Sequence, residues 1–294
     1  THDVIQQGGT RRGALMLMLN DWHPDVEEFI TVKEDLTRIN GANLSVCVSD
    51  SFMTAVKNNK DWDLYYPDLT DPDYDKLWDG DIDKWKAAGK KVVVYKTVKA
   101  ADVWEKICQS AWRSAEPGLH FIERSNKRSN TWYFEKLIAT NPCGEQPLGA
   151  WAVCNLGAVN LSAFVNSDGE FDYADLEDKV RIAIRMMDNV IDATGYYFPE
   201  NKEQQMGIRR TGLGTMGLGD ALIKMKLAYG SDEAQPVIEK IYKTIRDSAY
   251  QTSAELAAER GAFPNFDREK YLQGWFIKKL PQKVRDTIAK NGIR

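Results

Sequence analysis

Two of the chain's four cysteines stand eleven residues apart in the stretch TNPCGEQPLGAWAVCNLGAVNLS, which runs from Thr140 to Ser162. Pro142 precedes Cys143 and Gly144 follows it. Proline fixes φ and removes a backbone donor, and glycine opens the left-handed region. NPCGEQP therefore predicts a tight loop, bracketed by Pro142 and Pro147, with one side chain at its tip. Two readings stand side by side. One is a structural turn around an inert thiol, since free cysteine is often simply buried. The other is a positioned reactive sulfur, with Glu145 as a nearby base and Asn141 as an orienting amide. A Cys–His nucleophile pair fits poorly, because no histidine is near in sequence. Cys154 falls near the start of a strand and reads alone as a buried strand thiol; beside Cys143 it points to redox chemistry.

Other stretches carry weaker signals. QQGGTRRGA, Gln6 to Ala14, is a glycine-rich loop with two arginines. It reads equally as a phosphate- or base-gripping loop and as a turn with solvated arginines. GLGTMG, Gly212 to Gly217, matches the dinucleotide pattern GxGxxG. The polar NKEQQMGIRRT before it is not a strand, and Asp232, at the distance of the ribose-binding acid, reads as a helix cap, so close packing at a strand-to-helix turn is the better account. The three histidines are scattered and no CxxC pair exists, which disfavours a zinc or other metal site. The nine tryptophans, Trp104 and Trp112 among them, read as core and surface anchors.

These residues need a scaffold, and the sequence describes one. The chain has 294 residues, 43% hydrophobic and 28% charged, with net charge −4, which is globular composition and argues against a nucleic-acid binder. No apolar run reaches the roughly 20 residues of a membrane span, and THDVIQQGGTRRG lacks a signal-peptide core, so a cytoplasmic chain is expected. Strands are predicted over 14–19, in NLSVCVS, in KKVVVYKTV and over 118–123. Helices are predicted in HPDVEEFITVKEDL, in DSFMTAVKN with Asp50 as cap, in AADVWEKICQSAWRSAE, in YADLEDKVRIAIRMMDNVIDAT and over 232–260. RRTGLGTMGLGDALIKMK reads as a strand or turn feeding a helix. Residues 58–90 read as a loop-rich surface insertion with a solvated acidic run, and 124–140 as a polar connection. The alternation of strand and helix signals gives an α/β class.

Taken together, NPCGEQPL…CNLGAVNL, QGGTRRGALM, HPDVEEFI, SAEPGLHFIE, RRTGLGTMGLGDAL and KNGIR resemble, in order and over the whole chain, the catalytic subunit of ribonucleotide reductase, closest to its adenosylcobalamin-dependent class. The resemblance implies a ten-stranded α/β barrel with a central finger loop. It makes Cys143 the thiyl-radical cysteine that abstracts the ribose 3′-hydrogen, Glu145 the carboxylate that takes the 3′-hydroxyl proton, and Asn141 the orienting amide. Cys154 becomes one of the two cysteines that reduce the radical intermediate. Gln7 and Arg11 match the substrate-specificity loop that relays a nucleotide effector; Gln6 stands where relatives often carry lysine. Implied partners are the ribonucleotide substrate, adenosylcobalamin and a dithiol reductant such as thioredoxin.

In the family the second reducing cysteine and the effector and dimer helices lie upstream of such a segment, and the phosphate-binding loop and shuttle cysteines downstream. Cys47 and Cys108 match neither reducing cysteine and read as core thiols. Residues 1–294 are thus expected to be an internal portion of the barrel domain, inactive alone. Two alternatives remain: a class I large-subunit portion served by a separate metal-bearing radical subunit, and a non-catalytic assembly module.

Overall fold

The structure, a computed structural model, describes residues 6–7, 11–35, 37–39 and 41–294, and of Gln6, Gln7, Arg11 and Arg12 it describes the backbone. The chain divides into two compact units. The first is Thr1–Asn126 with Leu137–Pro147, the second Lys127–Lys136 with Leu148–Arg294.

The first unit opens with a short antiparallel ribbon, β1 (Gln6–Gln7) and β2 (Arg11–Arg12), which sets Gln7 opposite Arg11. Next come β3 (Met16–Asn20), α1 (Val26–Thr31), β4 (Asn43–Cys47), α2 (Asp50–Lys57), β5 (Asp61–Pro67), α3 (Tyr74–Leu77), α4 (Ile82–Ala87), β6 (Val92–Lys99), α5 (Ala100–Ser114), β7 (Gly118–His120) and α6 (Ile122–Arg128), whose last two residues pass into the second unit. A hairpin of β8 (Ala139–Thr140) and β9 (Pro147–Leu148) closes the first unit, with Leu148 already in the second. β3, β4 and β7 form a parallel sheet in the order β3-β4-β7. Its middle strand reads NLSVC and is buried after its first residue, the unbroken burial expected of a parallel strand covered on both faces. Val46 and Val48 pack with Val26 and Ile30 of α1, Phe52 of α2, and Val103 and Ile107 of α5.

Several expectations shift here. The cap of α2 is Ser49, whose Oγ accepts from the Phe52 amide at 3.0 Å, not Asp50. Ser49 wins because its hydroxyl also donates to Asp21 at 2.8 Å. Asp50 instead meets Arg124 Nε at 3.2 Å. Residues 58–90 are less loop-rich than expected, since β5, α3 and α4 make up about half of them. Trp62, Leu64 and Tyr66 recur every second residue in β5, which pairs antiparallel with β6. Trp85 of α4 is 1% exposed, and Trp78 packs edge-on against both it and Tyr66. Burial of those rings outweighs the acidic composition between them. Residues 124–140 begin in α6 rather than in a connection.

Asp21 follows β3 and is 1% exposed. Its Oδ2 accepts from the Ser49 amide at 2.6 Å, while its Oδ1 is buried with no partner among the described residues. Burial pushes its carboxyl up from 3.8 to about 6; the Ser49 bonds pull the other way and Glu123 adds to the rise. The folded state thus holds this proton more tightly than the unfolded chain. The contribution to stability is therefore full below about pH 4 and lost as pH rises through about 6, a swing on the order of 3 kcal/mol. Asp21→Asn keeps an acceptor for Ser49 and removes the buried charge. The variant is expected to raise the urea midpoint at pH 7.5, with the gap closing toward pH 4. A gap of the same size at both pH values would refute this.

The second unit contains β10 (Asn155–Asn160), α7 (Tyr173–Ala193), α8 (Pro199–Ile208), β11 (Thr211–Met216), α9 (Leu218–Lys224), α10 (Ala234–Arg260), α11 (Arg268–Leu272) and α12 (Gln282–Asn291). β10 and β11 pair in parallel from Asn155↔Thr211 to Asn160↔Met216, joined through α7 and α8. A parallel pair needs such a crossover. The apolar stripe Leu176, Val180 and Ile184 of α7 packs against Val159, Ile241 and Ile245. A second cluster joins Phe263, Tyr271, Ile277, Val284 and Ile288. α10 starts after Glu233, and the Ser231 hydroxyl accepts from the Ala234 amide at 3.2 Å, so Asp232 is not its cap.

The α/β class holds, but the ten-stranded barrel is not closed in this chain. Five parallel strands are present among the described residues, as a sheet of three and a pair, with no ladder joining them. Five strands cannot satisfy both edges of a ring of ten. No helix among the described residues is long and apolar enough to cross a membrane.

Candidate active site

Asn141, Cys143 and Glu145 all lie on the turn between β8 and β9. The turn is built largely by Asn141. Its amide donates to the Gln146 carbonyl at 3.3 Å, its Oδ1 accepts from the Gln146 amide at 2.9 Å, and its carbonyl accepts from the Gly144 amide at 2.9 Å. An asparagine side chain that closes a turn on itself leaves its Nδ2 pointing elsewhere as a donor. Gly144 sits at φ +81, which closes the loop where a β-carbon would be strained, and nothing lies within 4 Å of where that carbon would stand. At the base of the hairpin, Thr140 is buried and donates through its amide to Met18 Sδ at 3.2 Å, and Asn43 Nδ2 donates to the Pro142 carbonyl. Two strands of the parallel sheet thus hold the turn from below.

Cys143 and Glu145 are both exposed on the first unit. The sulfur is at the tip, as the flanking proline and glycine predict, and among the described residues of the first unit it stands exposed. Gln7 and Arg11 face each other across the β1–β2 ribbon. Residues 8–10 of that loop and the two side chains, on which the specificity role depends, lie outside the described residues, as does His2.

Cys154 belongs to the second unit, one residue before β10. It is half-buried, and its Sγ donates to the Asn155 carbonyl at 3.4 Å. A β-carbon on Gly212 would fall 2.8 Å from that sulfur and 2.8 Å from Leu156 Cδ2. The first glycine of GLGTMG therefore makes room for the thiol. The last, Gly217, turns at φ +72 into α9, with Asn160 Oδ1 where a β-carbon would be. The motif runs along a strand, which bears out the packing reading over the dinucleotide one.

The other two cysteines part company. Cys47 is buried in β4, and burial with Asp21 nearby pushes its thiol up to about 12, so it stays protonated. Cys108 is exposed, contrary to a core role; Val103, Ile107 and Ser110 form the buried face of α5 and position 108 falls outside it.

Comparison with known proteins follows this geometry. The family described as "Ribonucleotide reductase, barrel domain" matches residues 1–294. The chain belongs to that family. It is similar to the vitamin B12-dependent ribonucleoside-diphosphate reductase of Thermoplasma acidophilum, at 38% identity over 99% of this chain and 35% of the relative. The protein of the same name from Mycobacterium tuberculosis is 36% identical over 92% of this chain and 36% of the relative. The ribonucleoside-diphosphate reductase large subunit of Variola virus is 31% identical over 90% and 36%. The chain thus spans about a third of the length of these reductases, and it matches an internal segment of them.

Two features of the second unit escaped the sequence reading. Arg209 sits in the left-handed region after α8 and is 6% exposed. Its Nε donates to Asp188 at 2.7 Å, and Nη1 and Nη2 grip Asp192 at 2.8 and 3.0 Å, which holds the Asp192 carboxyl below its ordinary range. Arg294 joins the same Asp188 through Nε at 2.7 Å. Glu135, also buried, accepts from Arg210, from Gln204 at 3.0 Å and from Thr131 at 2.7 Å, and lies flush against Gly149. The sequence signals were the adjacent Arg209 and Arg210, a separate Arg294 and a glycine.

Proposed function

We propose that this chain is the radical-bearing portion of a ribonucleotide reductase that converts ribonucleoside diphosphates to 2′-deoxyribonucleoside diphosphates. The observation that carries the reading is the Asn141–Cys143–Glu145 turn. One hydrogen-bonded loop presents an amide donor, a thiol and a carboxylate within five residues, in a chain of this family.

The chemistry follows from those groups. Cys143, as a thiyl radical, takes the 3′-hydrogen of the ribose and becomes a thiol. Glu145 takes the 3′-hydroxyl proton while a thiol proton of the reducing pair goes to the 2′-hydroxyl, which leaves as water. Cys154 and a second cysteine outside this chain then give a hydrogen atom to C2′ and one further electron, ending as a disulfide, as Glu145 returns its proton to the 3′-oxygen. Cys143 then returns its hydrogen to C3′ and is a radical again. The balance is one ribonucleotide and one dithiol in, one deoxyribonucleotide, one water and one disulfide out. A dithiol protein of the thioredoxin kind would restore the pair. Asn141 Nδ2 serves to hold a substrate hydroxyl. Gln7 and Arg11 would carry effector identity to the base.

The turn leaves the Cys143 thiol open to the approach of a cofactor such as adenosylcobalamin. Cys143 is exposed and Gly144 beside it faces open space, so Pro142, Cys143 and Gly144 would present a clear approach to a bulky cofactor. Bound there, the cofactor would supply radical chemistry able to take the Cys143 hydrogen. The B12-dependent relatives are 36–38% identical, above the 31% of the Variola virus large subunit, which favours this source over a separate radical subunit. The complete protein is expected to form deoxyribonucleoside diphosphate when given adenosylcobalamin and a dithiol, and none when the cofactor is omitted. Activity that needs a second, metal-bearing protein and ignores the cofactor would replace this reading with that alternative. Reduction under neither condition would leave the assembly-module reading.

A further inference from the structure

The second unit carries a groove of about 440 Å³ lined by Lys127, Trp132, Gln273, Trp275, Lys278 and Lys279. That volume falls within the range of small-ligand sites. Trp132 and Trp275 are 44% and 41% exposed. Trp132 packs edge-on against Tyr133 at 5.8 Å, which supports the indole from one side. Two cations stand over Trp275: Arg128 with Cζ 4.4 Å from the ring centre, and Lys279 with Nζ 3.4 Å from it.

That arrangement has an electrostatic meaning. A carboxylate partner neutralises a lysine, whereas an aromatic face positions the cation and leaves its charge in place. Most arrangements elsewhere in the chain are of the first kind: Lys90 sits between Asp71 and Asp73, and Arg209 between Asp188 and Asp192. Among the described residues no carboxylate forms an ion pair with Arg128, Lys278 or Lys279. A chain of net charge −4 therefore gathers cations around a concave aromatic floor and leaves three of them uncompensated. The arrangement calls for an anion, and the exposed indole beside it calls for a planar group.

We propose that this groove binds a nucleoside polyphosphate. Lys278, Lys279 and Arg128 take the phosphates, Trp132 stacks on the base, and the Gln273 amide, which both donates and accepts, meets the base edge. A mononucleotide matches the volume. An acidic peptide would satisfy the cations but give the exposed indole no planar partner. The inference does not rest on the reduction chemistry, and its residues are none of those assigned to it.

The test is photolabelling of the complete protein with an azido analogue of ATP, followed by mapping of the labelled peptides. Mapping separates this site from any nucleotide bound elsewhere on the protein, so failure here leaves the reductase reading untouched. Label is expected on the peptides that contain Trp132 and residues 273–279. Lys278→Glu with Lys279→Glu, both exposed positions, is expected to cut that label about tenfold or more. Trp132→Ala is expected to weaken competition by ATP about five- to a hundredfold. No label on those peptides overturns the proposal. Competition by tripolyphosphate equal to that by ATP, with Trp132→Ala behaving as the parent, overturns the nucleoside part and leaves an anion patch. Displacement by poly-glutamate better than by ATP overturns it in favour of an acidic peptide.

Discussion

Replacing Cys143 with serine in the complete protein is expected to stop deoxyribonucleotide formation, with a loss of at least ~10⁴-fold, while substrate affinity changes by no more than about twofold. Serine fits the turn. Nothing in the hydrogen bonding of the loop uses the sulfur, since Asn141, Gln146 and Gly144 close it between themselves. The effect is therefore one of chemistry and not of folding. A hydroxyl hydrogen is held far more tightly than a thiol hydrogen, so serine cannot become the radical that exchanges hydrogen reversibly with a ribose. The measurement is product chromatography beside equilibrium binding of the ribonucleotide. Two outcomes are distinguishable. Lost product with retained binding fits a radical carrier, whereas retained turnover above about a tenth of the parent would mean that the sulfur at the tip is ornamental to catalysis.

The Cys143 turn was legible because its instructions are local. A proline before, a glycine after and a second proline at position 147 restrict the backbone whatever surrounds it, and Gly144 at φ +81 is the direct result. The same holds for the parallel strands β3 and β4 and for the long helices α5, α7 and α10, whose apolar positions recur at the spacing of a buried face. What failed was whatever depended on distant partners. α8 has almost no apolar stripe in PENKEQQMGI. Gln205 is nonetheless 2% exposed and donates to the Arg210 carbonyl at 2.8 Å, and the helix ends on Arg209, buried between two aspartates of α7. Periodicity carries no trace of such bonds. Residues 58–90 misled for the opposite reason. Their acids sit on the outside of a small aromatic core formed by Tyr66, Tyr74, Trp78 and Trp85, and composition alone does not say which side a tryptophan faces.

The site itself was legible only in part. Residue types and spacing set the sulfur, the acid and the amide on one turn. They left open whether Cys143 was reactive or inert, and only the resemblance in the whole-chain order of motifs favours the reactive reading. Cys154 shows the limit most sharply. Nothing in AVCNLG alone marks its thiol, and its neighbour Gly212 is 58 residues away in sequence, where the glycine-rich pattern reads as close packing without saying against what. A glycine that vacates space for a sulfur and a glycine that approaches a phosphate look identical in a sequence. The flanking residues favour packing, and the parallel register of β10 and β11, which sets Asn155 opposite Thr211 and Leu156 opposite Gly212, names the partner.

The second large effect belongs to Glu145. Glu145→Gln keeps the length and hydrogen-bonding reach of the side chain and removes its capacity to take a proton. Glu145 is exposed and its side chain takes no part in closing the turn, so the loop is expected to survive the change. If the carboxylate accepts the 3′-hydroxyl proton as the 2′-hydroxyl departs, turnover falls by about 10²- to 10⁴-fold, the range of a lost general base. In the proposed sequence, radical formation at Cys143 would precede that step and would not use the acid. The variant should therefore still consume cofactor on addition of substrate while product fails to accumulate. Glu145→Asp should recover part of the rate, because it restores the base at a shorter reach. Two results would remove Glu145 from the proton-transfer step: Glu145→Gln turning over within a factor of three of the parent, or Glu145→Asp and Glu145→Gln falling equally, which would assign the residue a role of size and shape alone.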